Sequence, residues 1–351
     1  MSDRFMIYGA TGYTGKLIAR TAKAQGLNPL LAGRNEARLK SIAAQHGFEY
    51  QAISLDEPEV LDAGLAQVDA VLHIAGPFSQ TSKPMVDACL RTGTHYLDIT
   101  GEIDVFEACA RRDEEAKKAG VMLMPGVGFD VVPSDCLAAH MKARMPDATE
   151  LTLGISGLGQ MSHGTAKTGI ESIGKGTRIR RDGRIVTAKK TPRREIDFGK
   201  GPKPAIAVGW GDVSTAWHST HIPDVTVYFE SNPQFEQMAK MGRIARWVMA
   251  RGPIQRALKK RIEQQPEGPS DAERRQGYSI LFGEAVNAQG EHVQSRLSTP
   301  EGYTLTAMTS LEIMGRVLAG EAKPGFQTPS SVFGPDFIAS FEGCSYQDLN
   351  G

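Results

Sequence analysis

The sequence predicts an α/β fold in two parts, a doubly wound parallel sheet followed by a second α+β domain with a mainly antiparallel sheet. Three observations predict it. A short apolar run meets a glycine-rich turn that opens a helix, all before Gly26. Apolar strands and amphipathic helices then alternate as far as Met124. Beyond Arg144 the apolar residues fall at every second position, the period of a half-buried strand. At 351 residues the chain is longer than one core usually serves, so two domains are expected.

Phe5-Met6-Ile7-Tyr8 is the first strand, and Gly9-Ala10-Thr11-Gly12-Tyr13-Thr14-Gly15 follows it. Leu17, Ile18 and Ala22 share one face of the helix after it. Strand, glycine turn and helix are the setting a dinucleotide loop needs. Glycines let the backbone approach a pyrophosphate, and the helix N-terminus attracts that anion. The spacing is GxxGxxG rather than GxGxxG, and a plain tight turn would carry the same glycines.

The second strand, Pro29 to Ala32, decides in favour of function. It runs into Gly33-Arg34-Asn35, where an NAD site places an acid for the ribose hydroxyls. Arg34 stands there instead, a guanidinium suited to a 2′-phosphate and to stacking on adenine. The expected cofactor is NADP(H).

Tyr50 to Ser54 is the third strand, closing at Asp56, and Val60, Leu61 and Leu65 mark a short helix. Asp69 to Ala75 is the fourth and leads into the turn Gly76-Pro77-Phe78. Thr81-Ser82-Lys83-Pro84 is expected to cap the next helix, which Gly93 ends. His95 to Ile99 and Val121 to Met124 are the fifth and sixth strands, with one charged helix from Ile103 to Ala119 between them. Six strands alternating with helices imply a Rossmann-type sheet whose ligand lies beyond the carboxyl ends of its strands. The loops at Gly9, Arg34, Gly76 and Gly101 all fall there.

A helix from Pro133 to Arg144 leads into the second domain. Leu151, Leu153 and Ile155 alternate with polar residues, as do Ala205 to Val208, Val225 to Phe229, Tyr278 to Val286 and His292 to Leu297. Asp182-Gly183 and Gln289-Gly290 are hairpin turns. This sheet is expected to carry the substrate side of a cleft. Thr304 to Leu318 is helical again and is expected to return to the first domain. The expected boundaries are 1–132, with 304–351 packing back on it, and 133–303.

Several segments together resemble the saccharopine dehydrogenase-like oxidoreductase family. They are the glycine loop, Ala32-Gly33-Arg34-Asn35, Ala75-Gly76-Pro77-Phe78, His95-Tyr96-Leu97-Asp98-Ile99-Thr100-Gly101-Glu102 and Gly128-Phe129-Asp130-Val131-Val132-Pro133-Ser134-Asp135. Thr299-Pro300-Glu301-Gly302-Tyr303 and Gly325-Phe326-Gln327-Thr328-Pro329 extend the likeness to bacterial members, and the branch also resembles the trans-acting enoyl reductases. The resemblance implies NADP(H)-linked hydride transfer. It does not imply lysine metabolism, because no matched arginine set for several substrate carboxylates is present. The cofactor-binding set is Gly9 to Gly15, Gly33, Arg34, Asn35, Asp56, Ala75, Gly76, Pro77, Phe78 and Asp98.

Hydride transfer asks the protein for positioning and an acid. Tyr96, Asp98 and Glu102 stand at the end of the fifth strand. Tyr96 and Asp98, two apart, point to one side, and Glu102 is either an acid or a loop tie. His163 in Ser162-His163-Gly164-Thr165 opens a helix, where an imidazole can polarise a carbonyl or Ser162 can simply cap. Tyr96, Glu102 and His163 are therefore the candidate catalytic residues. His218 and His221 lack a third ligand, so no metal is expected.

Lys+Arg and Asp+Glu balance at 40 each, which leaves no global field for nucleic acid. The four cysteines have no CxxC spacing and are expected to be free thiols. With no signal-peptide pattern and no run long enough to span a bilayer, a cytoplasmic location is expected. Residues 237–262, with Arg243, Arg246, Trp247, Arg251, Lys259, Lys260 and Arg261, read as a basic amphipathic stretch. It is either a surface for an acyl carrier or lipid, or a lid or dimer contact. Gln264 to Gln276 reads as a mobile linker. The substrate is expected to be a largely apolar small molecule or acyl group, and the protein a homodimer. A non-catalytic NADPH-binding scaffold is the reading of a different class.

Overall fold

The computed structural model describes residues 4–233, 236, 237, 241, 242, 248, 249 and 251–350. The chain divides into two compact units. The first comprises Met1–Asp130 with Tyr303–Val332, the second Val131–Gly302 with Phe333–Gly351.

In the first unit, strands β1 (Phe5–Tyr8), β2 (Leu30–Gly33), β3 (Tyr50–Ala52), β4 (Ala70–His73), β5 (His95–Asp98) and β6 (Met122–Met124) form a sheet with β15 (Gly325–Phe326). Its order is β15-β6-β5-β4-β1-β2-β3, and every pairing is parallel. The order reverses between β1 and β4, the place where such sheets take ligands. All residues of β1, β4 and β6 are buried. Burial on both faces is why these strands read as unbroken apolar runs.

Helix α1 (Tyr13–Ala24) buries Ile18, Ala19 and Ala22. Helix α2 (Glu36–His46) starts at Asn35, whose side chain accepts from the Arg38 N–H. Helix α3 (Pro58–Leu65) buries Leu61 and Leu65, as its spacing predicts.

Helix α4 (Phe78–Thr92) differs from expectation: it begins three residues before Thr81 and contains Pro84. The earlier start is supported from outside the helix, because Glu102 takes up the first N–H groups. Pro84, inside the helix, has no N–H to give to the Gln80 carbonyl.

The charged stretch from Ile103 to Ala119 also differs, being two helices, α5 (Ile103–Ala110) and α6 (Asp113–Ala119). Asp113, Glu114 and Glu115 fill the first turn of α6, where acidic residues favour a new N-terminus.

The second unit opens with helix α7 (Val132–Arg144) and strand β7 (Ala148–Ser156). Helix α8 (His163–Ser172), strands β8 (Arg178–Arg181), β9 (Arg184–Thr187), β10 (Arg193–Asp197) and β11 (Pro202–Val208), helix α9 (Asp212–Thr220) and strand β12 (Asp224–Glu230) follow. After helix α10 (Gly252–Ile262) and α11 (Asp271–Gln276), strands β13 (Tyr278–Asn287), β14 (His292–Pro300) and β16 (Ser345–Asn350) complete its sheet. The order is β10-β11-β12-β7-β13-β14-β16, and β8 pairs with β12 and β9. Within it β12 and β7 run parallel and the other pairings are antiparallel.

Asp182 and Gly183, at φ 48° and 72°, turn β8 into β9 as a hairpin. Helix α7 lies on one sheet face, close enough that a Cβ on Gly283 would meet Met141 Cγ at 2.9 Å. Ile196, Phe198, Ala205, Ala207, Tyr228 and Phe282 form a cluster on the other face.

Helix α12 (Gly302–Arg316), from Tyr303 on, and β15 belong to the first unit, whose second segment ends at Val332. Strand β16 pairs with β14, which holds residues 333–351 in the second unit. Short edge strands such as SYQDLN carry little apolar periodicity, and so give no sequence signal of which sheet they join.

The expected linker from Gln264 to Gln276 contains α11, opened by a capping box in which Ser270 and Glu273 bond each other's backbone. Of the basic stretch 237–262, residues 238–240, 243–247 and 250, among them Arg243, Arg246 and Trp247, lie outside the described residues. No helix among the described residues is long and apolar enough to cross a membrane.

Candidate functional site

The glycine loop between β1 and α1 separates three glycine roles. Gly9 has φ 95°, and a Cβ there would lie 2.7 Å from Ala75 N. A Cβ on Gly15 would lie 2.4 Å from the Gly9 carbonyl oxygen, so Gly15 lets α1 pack on the loop. Gly12 is different. Its Cβ would meet only Gly9 O, at 3.7 Å, and its φ of −79° suits any residue. The protein's own packing does not require glycine there; the close approach of a ligand would. Gly12 is the N-cap of α1 and brings no side chain of its own to cap that end, and no acid sits in its first turn. A helix start whose N-cap is glycine, set in a glycine cradle, is an anion site in form.

Beyond β2, Arg34 is exposed, with no hydrogen bond or ion pair among the described residues. Its charge and that of Asp56 both reach Tyr8, in opposite senses. Tyr8 is buried at the end of β1 and donates to the Ile53 carbonyl at 3.0 Å, and burial pushes its hydroxyl up to about 12. Arg34 and Asp56 therefore both stand near the carboxyl end of β1. Asn35 spends its side chain on capping α2.

At the ends of β4, β5 and β6 the loops are joined by a chain of hydrogen bonds. Tyr96 is wholly buried and donates its hydroxyl to Asp98 Oδ2 at 2.5 Å. Asp98, also wholly buried, accepts at Oδ1 from the N–H groups of Thr100 and Gly126, both at 2.9 Å. Its backbone carbonyl accepts from the Val127 N–H at 2.7 Å. Thr100 Oγ1 then accepts from the Glu102 N–H at 3.0 Å. The two Glu102 carboxylate oxygens accept from the N–H groups of Phe78 and Ser79 at 2.9 and 3.0 Å. Burial raises the Asp98 carboxyl to about 7 against the pull of its donors, and it holds the Tyr96 hydroxyl well above its usual range.

Residues that sequence reasoning passed over complete this region. His73 is wholly buried at the end of β4, with its Nε2 3.0 Å from Thr81 Oγ1. The Thr81 hydroxyl donates to the Pro77 carbonyl, which makes His73 Nε2 the donor of the pair. Burial lowers its pKa to about 3, so the ring is neutral, and it meets Phe78 edge-on at 5.4 Å. Its signal was a histidine inside an apolar strand. Thr306 accepts from the Phe129 N–H at 3.0 Å, and Thr309 donates to the Val127 carbonyl at 2.8 Å. The two threonines tie α12 to the loop after β6.

In the second unit His163 donates its backbone N–H to Glu267 O at 3.2 Å and places Nε2 2.9 Å from Gln265 O. Ser162 Oγ accepts from the Thr165 N–H at 3.3 Å, the cap that the local pattern allows. His221 sits at the end of α9 with its ring edge-on to Trp217. No group of three metal-ligating side chains occurs among the described residues.

Residues 5–124 match the family model described as saccharopine dehydrogenase NADP binding domain. A trans-acting enoyl reductase of Mycobacterium leprae (strain TN) is 35% identical over 138 residues, which are 37% of this chain and 33% of that protein. One of Mycobacterium tuberculosis (strain ATCC 25618 / H37Rv) is 33% identical over 144 residues, again 37% of this chain and 33% of the relative. The match thus spans about a third of these relatives' length. The fold is that of the saccharopine dehydrogenase (L-Glu forming) of Saccharomyces cerevisiae in its apo form. The TM-score is 0.65 at 13% identity, over 99% of this chain and 100% of that one.

Proposed function

We propose that the chain is an NADP(H)-dependent oxidoreductase that acts on a C=O, C=N or activated C=C bond of a largely apolar substrate. The observation that carries this reading is the glycine N-cap of α1 at Gly12 with Arg34, exposed and without a hydrogen bond or ion pair among the described residues, one strand away. The match of residues 5–124 to an NADP binding domain supports it.

The residues present fit such a cofactor. Gly9 to Gly15 would hold the pyrophosphate, Arg34 the 2′-phosphate, and Asn35 and Asp56 would border the adenosine. Ala75 to Phe78 would line the nicotinamide end. Bound there, the cofactor supplies the hydride. Tyr96 and Glu102 we assign to positioning rather than to proton transfer: Tyr96 has no exposed surface, and the Glu102 carboxylate is spent on the start of α4. The Nε2–H of His163 is likewise given, to the Gln265 carbonyl, so no proton donor is assigned.

Calorimetric titration with NADPH and NADH, repeated on Arg34→Ala, tests the reading. NADPH affinity is expected to fall about tenfold or more in the variant while NADH is unaffected, as for loss of a charged hydrogen bond to phosphate. Absence of NADPH binding by the wild-type chain would overturn it.

A second reading, reduction of acyl chains on a carrier protein, is favoured by the names of the relatives and by α10. Arg256 and Lys260 are exposed one turn apart on that helix, while Lys259 is paired with Glu171. An acidic carrier suits such a face. Reversing Arg256 and Lys260 to Glu is expected to raise KM for a carrier-bound substrate and not for a free thioester. Equal effects on both would sink the idea.

A further inference from the structure

We propose that Asp98 is a positioning residue for the nicotinamide half of the cofactor, acting through the three loops it joins rather than by touching the cofactor. The inference rests on the NADP(H) reading above. Its basis is geometric. One buried carboxylate holds the loop after β5 through Thr100 and the loop after β6 through Gly126. Through Thr100 and Glu102 the same chain reaches the first residues of α4, beside Pro77. These loops stand at the carboxyl ends of β4, β5 and β6, on the far side of the order reversal from Arg34. On the adenosine side, Arg34 has no hydrogen bond or ion pair among the described residues, and the Gly9 N–H bonds to the Ala32 carbonyl.

The three donors aimed at Asp98 favour its ionised form, while burial resists it. The groups that face it are Tyr96 on its own strand, Cys109 on α5 and Glu102 beyond the loop, with Cys89 of α4 acting on Tyr96. Both thiols are pushed upward by burial, so neither competes as an anion near neutrality. Ionisation of Asp98 tightens all three bonds at once, and protonation slackens them.

The test compares NADPH with adenosine 2′,5′-bisphosphate, which carries the adenosine half alone, on the full-length chain. Asp98→Ala is expected to weaken NADPH about tenfold and leave the bisphosphate unchanged, since it loses hydrogen bonds to a charged group. Asp98→Asn keeps an oxygen for Thr100 and Gly126 and is expected to recover NADPH binding to within about threefold of wild type. Wild-type NADPH affinity, taken relative to that of the bisphosphate, which carries the same titrating 2′-phosphate, should rise between about pH 6 and about pH 8, and that ratio should stay flat in Asp98→Asn. Equal loss of both probes, or Asn no better than Ala, or an unchanged pH profile in Asn, would overturn the proposal. If Asp98→Ala does not fold, Asp98→Asn and its pH profile decide. Wild-type protein that binds neither probe would instead overturn the cofactor reading, and the inference with it.

Discussion

Glu102 caps a helix that begins 24 residues before it: its carboxylate takes the Phe78 N–H at 2.9 Å, and the neighbouring Ser79 N–H at 3.0 Å. A helix start is ordinarily capped by the residue just ahead of it, but here that residue is Pro77, which has no side-chain donor or acceptor. The carboxylate also meets the positive end of the helix dipole. Helix α4 is thereby closed to anions. Glu102→Ala is expected to lower stability by about 1–2 kcal/mol, the cost of a charged cap, in denaturant unfolding. A loss below about 0.5 kcal/mol would mean that solvent replaces the carboxylate at that end.

The glycines of the first loop should separate by experiment. Gly15→Ala forces a Cβ to 2.4 Å from the Gly9 carbonyl oxygen, so it should destabilise by about 1–3 kcal/mol, as overpacking does. Gly12→Ala meets nothing nearer than 3.7 Å and should change stability by less than about 1 kcal/mol. Its effect should fall on NADPH affinity instead. A stable Gly12→Ala protein with unchanged affinity would remove the pyrophosphate from that loop.

The parallel sheet was legible because β1, β4 and β6 are buried on both faces and punctuated by glycines at Gly9, Gly93 and Gly120. Arg34 was legible as the residue standing where an acid is expected. What the sequence hid is what depends on partners far along the chain. Glu102 is local to α5 in sequence and belongs to α4 in space. Asp98 looks like an acid pointed at a ligand, yet its partners are Tyr96, Thr100 and Gly126. Neither periodicity nor spacing tells a buried carboxylate that organises backbone from one that meets solvent.

The return of α12 was predicted from its helical pattern, but its anchors were not. Thr306→Val removes the oxygen that accepts from the buried Phe129 N–H. The orphaned donor should cost about 1–3 kcal/mol, read as a lowered denaturant midpoint. Thr306→Ser keeps the oxygen and should recover most of it. Serine no better than valine would show that the Thr306 methyl, against which a Cβ on Gly128 would lie at 2.9 Å, matters more than the hydrogen bond.

Two buried groups in the first unit should pull the pH dependence of stability in opposite directions. The His73 pKa is lowered from 6.5 to about 3, because a charged ring would be desolvated. Below pH 6.5 the unfolded chain takes up the proton and the folded one does not, so stability from His73 is lost as pH falls toward 3. The Asp98 pKa is raised from 3.8 to about 7, so the folded chain keeps its proton longer than the unfolded one. Stability from Asp98 is therefore complete below pH 3.8 and is lost as pH rises toward 7. Asp130, raised from 3.8 to about 7 by burial, adds to the second trend. Between these limits the slopes oppose, and single variants should expose each. His73→Phe should reduce the loss of stability on acidification, and Asp98→Asn should reduce the loss on approach to neutrality. Denaturant midpoints measured across that range check both signs. Were Asp98→Asn instead to steepen the loss on approach to neutrality, its carboxylate would be stabilised as the anion in the folded state rather than strained by burial. The fold would then bear no cost for ionising Asp98 near neutrality, the form in which its three donors hold the loops most tightly.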